Sequence, residues 1–205
     1  MISLLIDTSI SIPTIAIIND EKVLYRYHEK IDSDMSSKIL PIIDEALNNT
    51  NIKLKDIDKI FVVNGPGSFT GVRIGVTIGK TIAYSLKKEI IPLSSLEFMA
   101  SIDTDKKYII PMIDARRGNV FGAVYDNNLK SIKQDSLINK EELLTNIDDN
   151  YLLVSYDDIN NSITPNQNLI KIIKKHITDI SINPHDLKPN YLKLTEAEEN
   201  RLKND

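Results

Sequence analysis

Five of the chain's seven glycines, Gly65, Gly67, Gly71, Gly75 and Gly79, fall within one stretch of fifteen residues. Glycine is the residue past which another backbone, a ligand or a helix can come closest. This stretch therefore constrains the fold more than any other. The apolar run Ile57–Val63 before it reads as a buried strand, and Val72–Leu86 after it as a helix. A strand-to-helix turn is where anions bind, because the first amides of a helix point outward unpaired. The segment is no dinucleotide fingerprint: after Gly65-Pro66-Gly67 the third glycine comes one residue late, and Pro66 removes an amide. Nor is it a Walker A loop, since Gly79-Lys80-Thr81 has the right ending but Ile74 stands where a glycine is required, and the triplet lies inside the helix. Two readings stay open from spacing alone: a close-packed strand-to-helix turn, or an anion cradle.

The flanking sequence predicts an α/β chain in two parts. Ile2–Ile6, Ile12–Ile18 and Val23–His28 read as three antiparallel strands joined by polar turns. From Ser33 the spacing becomes helical, with Met35, Ile39, Ile42, Ile43, Ala46 and Leu47 on one wide face. Pro41 lies within it and predicts either a kink or a helix starting close to that proline. The helix after the glycine loop has little polar face: Ile74, Ile78 and Ile82 form one stripe, Val72 and Val76 a second, and Gly71, Gly75, Gly79 and Ala83 a third. A helix apolar nearly all round is covered on more than one side. Past a charged stretch at 103–107, Tyr108–Asp114 and Asn119–Tyr125 read as a second hairpin. A short helix at 140–146, a strand at Tyr151–Val154 and an amphipathic helix at Asn168–Ile177 follow. The predicted division is a first lobe over 1–103, a smaller second lobe over 104–190 and a charged tail over 191–205 returning to the first. A strand ending in aspartate, Asp7 in one half and Asp114 in the other, is the theme the halves share.

Composition excludes several classes. With no cysteine there is no disulfide scaffold, thiolate metal site or cysteine nucleophile. The longest uncharged run, Ile60–Val72, is 13 residues, well short of the roughly 20 that a membrane helix needs. The amino terminus lacks the basic and apolar regions of a secretory signal, so a cytoplasmic protein is expected. A net charge of −4 does not supply the dense basic face of a self-sufficient nucleic-acid binder.

The glycine segment carries a specific resemblance. Gly65-Pro66-Gly67-Ser68-Phe69-Thr70-Gly71-Val72-Arg73-Ile74-Gly75 matches without a break the signature of the TsaB (YeaZ) family. Ile6-Asp7-Thr8-Ser9, Asp114-Ala115-Arg116-Arg117-Gly118-Asn119-Val120-Phe121 and Pro189-Asn190-Tyr191-Leu192-Lys193 resemble further family segments, in the family's order. The resemblance implies an actin-like, ribonuclease H-like two-lobed fold with a reduced second lobe. It also implies a noncatalytic subunit that docks through its two long helices onto a TsaD-like catalytic subunit, which transfers a threonylcarbamoyl group to the adenosine beside the anticodon of tRNA. A TsaE-like ATPase completes such a complex, and tRNA is met only through it. Where the first of the two long helices often opens His-Ser in the family, here it reads Met35-Ser36-Ser37-Lys38.

The residues also speak against catalysis. His28, His176 and His185 show no one-turn spacing for a metal and read as surface or loop residues. The chain has no glycine after Gly122, so the second half cannot form the glycine-rich loop on which adenosine rests in actin-like ATPases. No cofactor and no metal are predicted. Asp7, Thr8, Ser9, Gly65, Gly67, Ser68 and Thr70 are read as a vestigial phosphate-type loop, with Asp7 capping its own turn. Met35, Ile39, Ile42, Ile43, Ala46, Gly71, Gly75, Ile78, Gly79, Ile82 and Ala83 are the predicted partner face, expected to form a homodimer when no partner is present. The competing reading is an independent small-molecule kinase or ATPase of the same fold.

Overall fold

The computed structural model describes residues 1–192, which form two five-stranded sheets. In the first, β1 (Ile2–Asp7), β2 (Thr14–Asn19) and β3 (Lys22–His28) make the antiparallel meander, and β4 (Lys59–Val63) and β5 (Glu89–Leu93) add in parallel, in the order β3-β2-β1-β4-β5. Side chains alternate between the two faces. Leu4, Ile6, Ile15, Ile17, Ile60 and Val62 pack under α1 (Met35–Thr50) and α2 (Phe69–Leu86). Leu5, Ala16, Ile18, Phe61, Val63 and Ile91 pack with α3 (Ser95–Ala100), α5 (Leu169–His176) and one face of the second sheet. Both faces of the first sheet are thus dry, which is why its inner strands read as unbroken apolar runs.

The second sheet repeats the first. β6 (Tyr108–Asp114), β7 (Asn119–Asp126) and β8 (Ser131–Asn139) form a meander, and β9 (Tyr151–Val154) and β10 (Ser162–Ile163) add in parallel, in the order β8-β7-β6-β9-β10. Its helices are cut down. Where α1 has 16 residues, α4 (Lys140–Leu144) has 5. Where the 18-residue α2 joins β4 to β5, only the irregular segment 155–161 joins β9 to β10.

Several elements depart from the sequence expectation. Helix α2 starts at Phe69, three residues before the apolar periodicity, because the Ser68 hydroxyl accepts the Gly71 amide and caps it. Pro41 lies inside α1 rather than in its first turn, on the exposed side. Strands β5 and β8 and helix α3 carried no clear period. Beyond α5 the chain returns to the first sheet: the Ile182 amide donates to Ile90 O, Leu187 is buried with α1 and α2, and Lys80 Nζ donates to the carbonyls of His185 and Leu187. Of the tail read at 191–205, residues 193–205 lie outside the described residues.

Candidate functional site

The carboxyl ends of β1 and β6 face a cleft of about 520 Å³. Ser9, Ser11, Gly67 and Phe69 line one side, and Asp114, Arg116, Tyr156 and Asp157 the other. Each wall is built on the same device. Asp7 Oδ1 accepts the Ser9 amide at 2.8 Å, and Asp114 Oδ1 accepts the Arg116 amide at 2.8 Å. A carboxylate bonding two residues ahead closes an Asx turn. Asp157 is engaged as well, its Oδ2 accepting the Asp114 amide at 2.7 Å. Asp7 is buried, which pushes its carboxyl up to about 6 against the pull of its bonds to Ser9. Asp114 is exposed and its carboxylate serves its own backbone through the Arg116 amide.

The glycine loop closes on this turn. The Ser68 amide donates to Ser9 O at 2.7 Å, and Thr8 Oγ1 donates to Gly71 O at 2.6 Å. A Cβ on Gly67 would overlap Ser9 O, one on Gly71 would overlap Thr8 O, and one on Gly75 would come within 2.5 Å of Thr8 Oγ1. The structure thus brings together Asp7, Thr8, Ser9, Gly67 and Ser68. It fills their centre with the chain's own turn. Gly65, at φ +115°, serves a different contact: a side chain there would sit 2.7 Å from Asn190 O, and the Asn190 amide donates to Asn64 O. Thr70 is exposed on the first turn of α2.

Most members of the predicted partner face are buried within the chain. Gly71, Gly75 and Gly79 press against Thr8 of the turn and Ile6, Val62 and Ile90 of the first sheet, and Ile39, Ala46 and Ala83 are fully buried. Ile42, Ile43 and Ile82 are buried in the same cluster. Four-residue glycine spacing marks a close approach, and here the approaching body is the chain's own sheet. Of the predicted face, Met35 and Ile78 keep accessible surface. Accessible apolar surface on these helices lies instead along the seam between them. On α1, Tyr25 of β3 bonds Glu45 on one flank, so the opposite flank, with Leu40 and Leu47, faces α2. On α2, the flank bearing Arg73, Lys80 and Tyr84 is covered by residues 185–191, so Ile74 and Ile78 face α1. Leu40 is 56% exposed.

Two contacts were not anticipated. Phe69 and Arg73 of the glycine motif meet Tyr191 of the carboxyl-terminal motif: the Phe69 and Tyr191 rings stack at 5.3 Å, the Arg73 guanidinium lies 3.7 Å over Phe69, and Arg73 Nε donates to Tyr191 OH at 2.7 Å. Two of the three histidines also differ from expectation, while His185 is exposed as expected. His28 is a strand residue half-buried between the halves, and His176 pairs with Asp179 and with Glu97 of α3, which raise its pKa against burial. Among the described residues no three His, Asp or Glu side chains come together to hold a metal, and no helix is long and apolar enough to cross a membrane.

Two sheets of the same strand order facing each other across a cleft define an α/β protein of the actin-like, two-lobed class, the second lobe reduced. A solved structure from Pseudomonas aeruginosa, described as an uncharacterized protein with similarity to peptidase YEAZ, superposes with a TM-score of 0.81 over 94% of this chain and 99% of that one, at 19% identity. The model of the TsaD family, tRNA N6-adenosine threonylcarbamoyltransferase, matches residues 29–152. The TsaB tRNA threonylcarbamoyladenosine biosynthesis protein of Bacillus subtilis is 40% identical over 61% of this chain, a match spanning 55% of the relative's own length. Its counterpart from Buchnera aphidicola subsp. Acyrthosiphon pisum is 30% identical over 86% of this chain and 82% of its own. The chain belongs to the TsaB (YeaZ) family, within the wider set of sequences that the TsaD family's model matches.

Proposed function

We propose that the chain is a noncatalytic subunit in the formation of threonylcarbamoyladenosine on tRNA, docking on a TsaD-like catalytic subunit through the α1–α2 seam. The observation that carries this reading is the state of the cleft. Asp114 and Asp157, which line it, and the buried Asp7 behind its wall all accept backbone amides, and the glycine loop is packed against Thr8 and Ser9. One oxygen of each carboxylate holds a turn, and the loop amides that would meet a phosphate, those of Ser68 and Gly71, donate to Ser9 O and Ser68 Oγ instead. The seam offers what the cleft does not: Leu40, Leu47, Ile74 and Ile78 present apolar area between exposed polar residues such as Asp44, Thr77 and Thr81. An apolar centre with a polar rim is the anatomy of a protein interface. The TsaE-like ATPase and tRNA are then met through the assembled complex, and the same seam supports self-association when the partner is absent.

Co-elution tests the reading. The purified chain is expected to run with a TsaD-like subunit as one species in size-exclusion chromatography with light scattering, and to show no ATP turnover by itself. Separate elution at micromolar concentrations, together with magnesium-dependent ATP hydrolysis by the isolated chain, would favour the independent kinase or ATPase instead.

A further inference from the structure

Where α2 follows β4 in the first half, the segment after β9 makes no helix, and its side chains reach across to the first sheet. Tyr156 OH lies 3.2 Å from His28 Nε2 on β3 and accepts Gln167 Nε2 at 2.6 Å. His28 Nδ1 pairs with Thr14 Oγ1 of β2 at 2.8 Å. Arg26, also on β3, donates to Asn166 Oδ1 at 3.3 Å, Gln167 O at 3.3 Å and Gln167 Oε1 at 3.0 Å. Burial, with the Arg26 charge beside it, pushes the His28 imidazole down to about 4, so the neutral ring occupies the network. Among the described residues no carboxylate answers the half-buried Arg26 guanidinium, whose bonds there go to neutral amide oxygens. A charge drawn out of water onto neutral acceptors contributes little net stability and is best explained by the geometry it imposes. At the end of the same segment, the Asn168 amide donates to Ser101 O, and on α5 Lys174 Nζ pairs with Glu21 at 2.6 Å.

We propose that Arg26, His28, Tyr156 and Gln167 form a latch that holds the two halves at one fixed angle, the second half having exchanged a cleft-lining helix for a fastening to β3. Tyr156 also lines the cleft and is followed by Asp157, which supports the Asp114 turn. The latch therefore sets the width of the cleft as well as the angle between the sheets. It gives a docking subunit a rigid back, in contrast to hinged enzymes that close on a substrate. The latch is tested on the isolated chain, so its outcome is separate from that of the partner proposal.

The chain has no cysteine, so Lys38→Cys on α1 and Glu142→Cys on α4 place two unique spin labels on exposed positions of the two halves. The parent is expected to give one narrow distance distribution, unchanged by added ATP and magnesium. Arg26→Ala and Tyr156→Phe are expected to broaden it, and to speed exchange of the Ser155 and Asn168 amides on the order of tenfold, the change that follows loss of one hydrogen bond of ordinary worth. Amides of α1 and α2 should be unaffected. If Arg26→Ala does not fold, Arg26→Lys, which keeps the charge without the fork, is read in its place beside Tyr156→Phe, which keeps the ring. A distribution as narrow in these variants as in the parent, or a parent distribution that shifts with ATP, overturns the latch.

Discussion

Asp7 has two roles to choose between, and its surroundings decide. It ends the central strand of the first sheet, is 2% exposed, and gives Oδ1 to the Ser9 amide. Its carboxyl rises from 3.8 to about 6 because burial disfavours the charge more than the Ser9 bonds favour it. Between those two values the folded chain keeps a proton that the unfolded chain has released. Stability therefore falls as pH rises through that window, and above it the ionised group costs on the order of 3 kcal/mol. Asp7→Asn retains an oxygen for the Ser9 amide without the charge. It is expected to raise the melting temperature at neutral pH and to flatten the pH dependence between about pH 4 and 6. A variant less stable than the parent at neutral pH would mean that the carboxylate is held ionised for another purpose. The turn-capping role was legible in the sequence, because aspartate two residues before a polar position at a strand end is an Asx pattern. The burial was not, since it depends on α2 closing over the turn.

At the scale of elements, the glycine stripe of α2 is the instructive case. Spacing of four residues showed that some body comes unusually close to this helix. It could not show whether that body belongs to the same chain. Burial answers: Gly71 and Gly75 admit Thr8, and Gly79 admits Val62. Gly71→Ala is therefore expected to destabilise the isolated chain by about 1–3 kcal/mol, the usual consequence of forcing a methyl into a filled space. It should do so in urea melts with no partner present; a variant as stable as the parent that fails only in complex formation would restore the stripe to an interface. Other elements escaped the sequence for local reasons. Strand β5 is short and contains Pro92, which an edge strand tolerates because one side of it makes no ladder bonds. Strand β8 is a largely polar edge strand, and its register against β7 shifts between Gly122 and Val124 and again before Tyr125, which breaks the period-two pattern. The meander, the second hairpin, α1 and α5 carried clean periods and are found close to where they were expected, as is the short, less regular α4.

For the whole molecule, the second half repeats the strand order of the first but spends its connections differently. The first half uses long helices, and its glycine loop welds β1 to α2. The second uses short segments that reach back to β3 and close the cleft from behind. The aspartate shared by the two halves was readable in the sequence because it sits at equivalent strand ends. The contact of Phe69 and Arg73 with Tyr191 joins residues more than a hundred positions apart and left no local signal. The outcome is a body whose cleft side is occupied by its own turns and whose helix side keeps an apolar seam. This division of labour predicts which surface matters. Leu40→Glu and Thr81→Glu change exposed seam positions and should leave the fold within about 0.5 kcal/mol of the parent. Asp114→Ala with Asp157→Ala alters the cleft. The most direct measurement is the affinity of a TsaD-like subunit for each of these proteins by titration calorimetry. The account predicts at least about a tenfold loss, 1.4 kcal/mol, for the seam pair and parental affinity for the cleft pair. Parental affinity in the seam pair, with loss in the cleft pair, would contradict it.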